Sequence, residues 1–79
     1  MKWILVKESD GQRGDAGKKK VYEIVLNGKT VTVMWGKFEE AHKQQTQVKE
    51  FANAFLAAEW AEEQRHAKRK KGYDLLMVA

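Results

Sequence analysis

The stretch Lys20-Val-Tyr-Glu-Ile-Val-Leu-Asn-Gly-Lys-Thr-Val-Thr-Val-Met-Trp35 (KVYEIVLNGKTVTVMW) decides the fold. Two alternating apolar runs flank Asn27-Gly28. Asn-Gly between such runs is the strongest short hairpin signal, because a type I′ turn needs positive φ at both central residues. With Asn27 and Gly28 as the central pair, Leu26 faces Lys29. Ile24 then faces Val31, Tyr22 faces Val33 and Lys20 lies opposite Trp35. That face is the expected core. The other, with Glu23, Val25, Thr30, Thr32 and Met34, is half-polar, as one side of an antiparallel sheet usually is.

Working outward, Lys2-Trp-Ile-Leu-Val-Lys7 is β-prone and predicts a first strand. Residues 8–19 hold three glycines and two aspartates with little to anchor them, which predicts a flexible loop. Gln44–Phe51 alternates weakly and predicts a further strand. From Asn53 to about Lys70 there is neither glycine nor proline, and Ala, Glu, Gln and Lys dominate. This is a long helix with Asn53 as N-cap and Gly72 just beyond its C-terminus. Leu56, Ala57, Trp60, Ala61 and Gln64 follow three-four spacing and form the expected core stripe, leaving Phe55 outside. Tyr73–Val78 closes the chain as a last strand. The fold class is therefore α+β: an antiparallel sheet of four to five strands with one long α-helix packed on one face.

Seventy-nine residues form one domain with one modest core. The absence of cysteine removes disulfides, thiol catalysis and cysteine-based zinc sites. No apolar run reaches the length of a membrane span and no signal sequence follows Met1, so a soluble cytoplasmic protein is expected. The net charge is +4 with a pI near 9.4, which favours nucleic acid or an acidic partner. The charge is concentrated: five cations fall between Arg65 and Lys71, and Lys18-Lys19-Lys20 stand at the open end of the hairpin.

Enzyme activity lacks its parts. Ser9 is the single serine and has no nearby histidine, and Gly11, Gly14 and Gly17 do not have phosphate-loop spacing. Arg13-Gly14-Asp15 is a tripeptide of chance. His42 and His66 have no third ligand at metal spacing. Glu39 and Glu40 are adjacent rather than convergent, as an acid/base pair would have to be. No catalytic residue, cofactor site or metal site is expected.

The ordered series Lys20-Val-Tyr-Glu-Ile24, a hairpin, Val33-Met-Trp-Gly-Lys37, Gln45-Thr-Gln-Val-Lys-Glu-Phe51 and Lys70-Lys-Gly-Tyr73 resembles the WGR domain. This family is named for a Trp-Gly-Arg tripeptide. It occurs in DNA-dependent poly(ADP-ribose) polymerases and in small bacterial proteins. The resemblance spans residues 20–73 of a single domain, 1–79. In the polymerases the domain is a non-catalytic module that binds DNA near a strand break. Its tryptophan stacks on the sugar of a terminal nucleotide, and the arginine contacts DNA and neighbouring domains. The resemblance implies that Trp35 is an aromatic shelf and that Lys37 takes the arginine's place. Lysine keeps the point charge but not the planar fork. The segment Phe38–Gln44 also departs from the family pattern, with two acids and no glycine.

Two readings of Trp35 stand side by side: a plug at the end of the core, or a shelf with a positive charge beside it. On the second, Trp35, Gly36, Lys37, Lys18, Lys19, Lys20, Lys68, Arg69, Lys70 and Lys71 are the candidate nucleic-acid-binding residues. The expected function is a non-catalytic module contacting DNA backbone or strand ends with low sequence specificity. The alternative is a protein-interaction or regulatory module using the sheet face of Val21, Val25 and Met34, or exposed Phe55.

Overall fold

A computed structural model describes residues 1–8, 19–38 and 43–79. The chain runs β1 (Lys2–Glu8), β2 (Lys19–Asn27), β3 (Thr30–Lys37), β4 (Gln45–Glu50), α1 (Ala54–Lys70) and β5 (Asp74–Val78). The strands form one antiparallel sheet in the order β4-β3-β2-β1-β5. The helix is thus the connection that carries the chain from one edge of the sheet to the other, passing over β2 and β3. This is the expected α+β architecture. The loop expected over residues 8–19 lies, apart from Glu8 in β1 and Lys19 in β2, outside the described residues.

The hairpin is one residue later than its sequence suggests. Gly28 and Lys29 are the central pair, and Asn27 pairs with Thr30 as the last rung. Gly28 has φ +61° at the first central position, where a type II′ turn also calls for glycine. Moving the turn by one residue moves the pairing by two. Ile24 therefore faces Val33, Tyr22 faces Trp35, and Lys20 faces Lys37 rather than Trp35. Because side chains alternate with period two, every residue keeps its face. The core face was legible and its rungs were not.

Trp3, Leu5, Tyr22, Ile24, Val31 and Val33 line the helix side of the sheet and are buried with Ala57 and Ala61. The helix stripe differs from the expected one. Leu56 is 41% exposed, and Trp60 is only partly buried, although Phe55 at 73% remains further out than Trp60. The reason is steric. The sheet supplies the large side chains, so α1 approaches on its smallest residues, and Ala57 and Ala61 meet the sheet with no exposure at all. Trp60 lies to one side against Phe51, with ring centroids 5.7 Å apart. On the opposite side of the sheet Val21 is buried and Val25 and Met34 are half-buried, so that face is less open than the half-polar pattern implies.

Both ends of α1 are capped. The Asn53 side chain accepts from the Leu56 N–H at 2.9 Å. At the other end the Gly72 N–H donates to the Arg69 carbonyl and the Tyr73 N–H to the Lys68 carbonyl, the paired bonds of a Schellman motif. Gly72 takes φ +98°, as the motif requires. The cap turns the chain so that Tyr73 returns onto the sheet beside Lys68.

Candidate nucleic-acid interface

Register places the candidate site. On the helix side of the sheet, Lys7, Lys20 and Lys37 stand in one row on β1, β2 and β3. The next row inward is Leu5, Tyr22 and Trp35. From above, the Lys68 ammonium reaches over the Tyr22 ring, 4.5 Å from its centroid, and lies 5.8 Å from that of Tyr73. Tyr22 and Tyr73 meet edge to face at 6.4 Å. Lys7 completes the group, 5.9 Å from the Tyr73 centroid.

Two shallow depressions open here, with Trp35 and Lys68 lining both. The first, about 280 Å³, is otherwise lined by Lys20, Gly36, Lys37 and Tyr73. The second, about 200 Å³, lies between α1 and β4 and is otherwise lined by Tyr22, Val33, Gln47, Trp60 and Gln64. Neither is large or enclosed enough for a typical small-molecule pocket of about 300–1,000 Å³. Among the described residues, no acid lines either one.

Trp35 is half-buried: it packs on the core cluster and also forms a wall of both depressions. One edge of the indole therefore packs on the core while another is open to the depressions. Gly36 permits this arrangement. Its φ is +154°, and a Cβ there would come within 3.1 Å of the Gln44 side chain and 3.2 Å of the Gln44 Cα. The glycine lets the chain after β3 pass close by.

Burial shifts three groups here. It lowers the Lys68 ammonium pKa, with the Lys71 charge adding to the effect. It raises the Tyr22 phenol, with Tyr73 adding, and raises Tyr73 itself. The Tyr22 hydroxyl is 3.5 Å from Gln64 Oε1, too long for a strong hydrogen bond.

The residues singled out from sequence are divided by the fold. Trp35, Gly36, Lys37, Lys20 and Lys68 come together. Lys19 points away from them by strand alternation, its ammonium 3.9 Å from Glu8. Arg69, Lys70 and Lys71 are exposed around the helix terminus but line neither depression. Lys18, Glu39, Glu40 and His42 lie outside the described residues. Lys7, Gln47 and Gln64 were missed. Lys7 joins the group only through the β1–β2 register, which the intervening loop sequence does not encode. His66 lies 3.7 Å from Glu62 on the helix surface, and among the described residues no cluster could hold a metal ion. Among the same residues no helix is long and apolar enough to cross a membrane.

The described residues form a five-stranded antiparallel sheet crossed by one helix, with an indole and lysines at its rim. The family model of the WGR domain matches residues 5–77, and the chain belongs to that family. WGR domains of poly(ADP-ribose) polymerases are in general nucleic-acid-binding modules and not catalytic domains. The fold is similar to the crystal structure of a Bacteroides fragilis protein, with a TM-score of 0.80 and 31% identity. That likeness covers 98% of this chain and 20% of the other, so the chain spans a fifth of that protein's length. No curated protein matches the sequence significantly.

Proposed function

We propose that the chain is a non-catalytic module that binds DNA through its backbone and strand ends, with Trp35 as the stacking surface and Lys20, Lys37 and Lys68 as phosphate partners. One observation carries this: the half-buried indole is flanked by three lysines and by no acid among the described residues that line its depressions. An aromatic surface with cations beside it is the usual recipe for holding single strands and ends. The three lysines supply positive charge for phosphate, though not the bidentate geometry of an arginine at position 37. Lys7, Arg69, Lys70 and Lys71 extend the positive field without touching the indole's depressions, which suits low sequence specificity.

The test is a titration against nicked, blunt-ended and closed circular duplex at two salt concentrations. Affinity should fall steeply with salt, and DNA with ends should bind better than closed circles. Absence of DNA binding, together with concentration-dependent association, would favour the interaction-module alternative. Of the surfaces expected for that reading, Val21 is buried and Phe55 is exposed; β5, where Leu75, Leu76, Met77 and Val78 are exposed at the sheet edge, adds a further one.

A further inference from the structure

We infer that the depression between α1 and β4 receives the base of one unpaired nucleotide, so that this chain prefers a strand end with an overhanging base to a fully paired one. The inference rests on the DNA-binding function proposed above and assigns a second subsite to it.

The chemistry of the two depressions differs in a way that suits two parts of one nucleotide. The first is cationic, with Lys20 and Lys37 beside the shared Lys68. In the second, Lys68 is the only charged residue among the described residues that line it; the others are the apolar Val33, the aromatic Trp35, Trp60 and Tyr22, and the amide-bearing Gln47 and Gln64. Lys68 and Lys49 already lie over the Tyr22 and Trp60 rings, at 4.5 and 4.9 Å from their centroids, so the half-buried Trp35 is the ring assigned to stack on a flat heterocycle. Each primary amide offers a donor and an acceptor, the pair that matches a base edge and serves a phosphate poorly.

The amides are placed by register. Gln45 and Gln47 on β4 stand opposite Trp35 and Val33, on the helix side of the sheet. β4 is an exposed edge strand, and opposite the buried Val31 and Val33 it carries Lys49 and Gln47. Gln64 comes from α1 across the depression. Among the described residues its carboxamide oxygen has only the long 3.5 Å contact to Tyr22, which leaves it available to a ligand. Because Trp35 and Lys68 line both depressions, phosphate and base would be held on either side of one indole. A base inside a duplex has its Watson–Crick edge occupied and is stacked on its neighbours. Only an unpaired base can enter.

The experiment uses the full chain and three hairpin duplexes that share one sequence. One has a blunt end, one a single-nucleotide overhang, and one the same overhang with an abasic residue; overhangs on either strand are included. The overhang should bind more tightly than its abasic counterpart by roughly five- to 150-fold, the usual range for one stacked base. A 2-aminopurine at the overhang should be quenched on binding. In Gln47→Ala, an exposed position, the ratio of base to abasic affinity should fall severalfold, by the worth of a lost base-edge hydrogen bond, while the thermal midpoint stays put. Gln64→Ala should lower the same ratio.

If all three duplexes bind and the base makes no difference, the inference fails while the DNA-binding function stands. If the base matters but the ratio survives both glutamine substitutions, the base lies elsewhere and the assignment is wrong. If none of the three binds, the proposed function fails and the inference with it.

Discussion

Lys20 and Lys37 stand directly opposite one another on β2 and β3, and both point to the helix side of the sheet. Lys7 lies opposite Lys20 on β1, so three ammonium groups share one row. Like charges at directly opposed positions weaken a sheet. An anion bound among them would offset that repulsion. Lys20→Gln should therefore leave stability unchanged or raise it by a few tenths of a kcal/mol, while weakening DNA binding. Thermal melts with and without inorganic phosphate at constant ionic strength check the pair: phosphate should stabilise the wild type more than the variant. Equal stabilisation would mean the row holds no anion.

Trp35 is part core and part surface, and its substitutions should separate the two. Trp35→Ala should lower affinity for a strand end by roughly 1–3 kcal/mol, the worth of one aromatic stack. It should also cost stability, but less than the roughly 3–5 kcal/mol of a fully buried tryptophan. Trp35→Phe should keep most of both. Chemical denaturation gives the first quantity and titration of nicked against closed DNA the second. Equal affinity of wild type and Trp35→Ala for both DNAs would leave only the plug.

The basic helix terminus should not act as one block. Lys68 lines both depressions, whereas Lys70 lines neither. Lys68→Gln should reduce the slope of log affinity against log salt by about one unit, as loss of one phosphate contact does. Lys70→Gln should change it less. Equal slopes for the two variants would show that only the general field of the terminus matters.

The helix face is tested by a pair of substitutions. Leu56→Ala should cost less than about 1 kcal/mol because much of that side chain is in water. Ala61→Leu should be the damaging change, at roughly 1–3 kcal/mol or more, since Ala61 meets the sheet with no space around it. The reverse order in urea denaturation would restore the stripe centred on Leu56.

Alkaline pH should reveal the tyrosine pair. Burial raises the Tyr22 and Tyr73 phenols above their ordinary value of 10.0, so the folded state holds those protons more tightly than the unfolded chain. Stability from this source is complete below pH 10 and is lost as pH rises from there through the folded pKa values. Lys68 has the opposite sign: its lowered pKa costs stability at neutral pH, and the cost is relieved as pH rises toward its ordinary 10.5. Denaturation midpoints at pH 9 and 11 should therefore lie closer together in Tyr22→Phe than in the wild type. An unchanged difference would mean that the Tyr22 phenol does not titrate as a buried group.

Local chemistry determined much of this protein. Alternation about Asn27-Gly28 set the hairpin and its core face, because period-two geometry holds whichever residues form the turn. Asn53 and Gly72 marked the ends of the helix, because capping is decided by a few neighbouring backbone bonds. Three things waited for the tertiary structure. The hairpin register was one, since Asn27-Gly28 and Gly28-Lys29 are both plausible turns and only pairing along the whole ladder separates them. The helix rotation was another: Leu56 looks like core by hydrophobicity, but a sheet already filled by Trp3, Tyr22 and Trp35 admits only Ala57 and Ala61. The candidate site was the third, because Lys7, Lys20, Lys37 and Lys68 come from four elements, and Gln47 and Gln64 from two. Spacing along a chain encodes a face or a cap, but the meeting of residues as distant in sequence as Lys7 and Lys68 depends on strand order and on how closely the helix can approach.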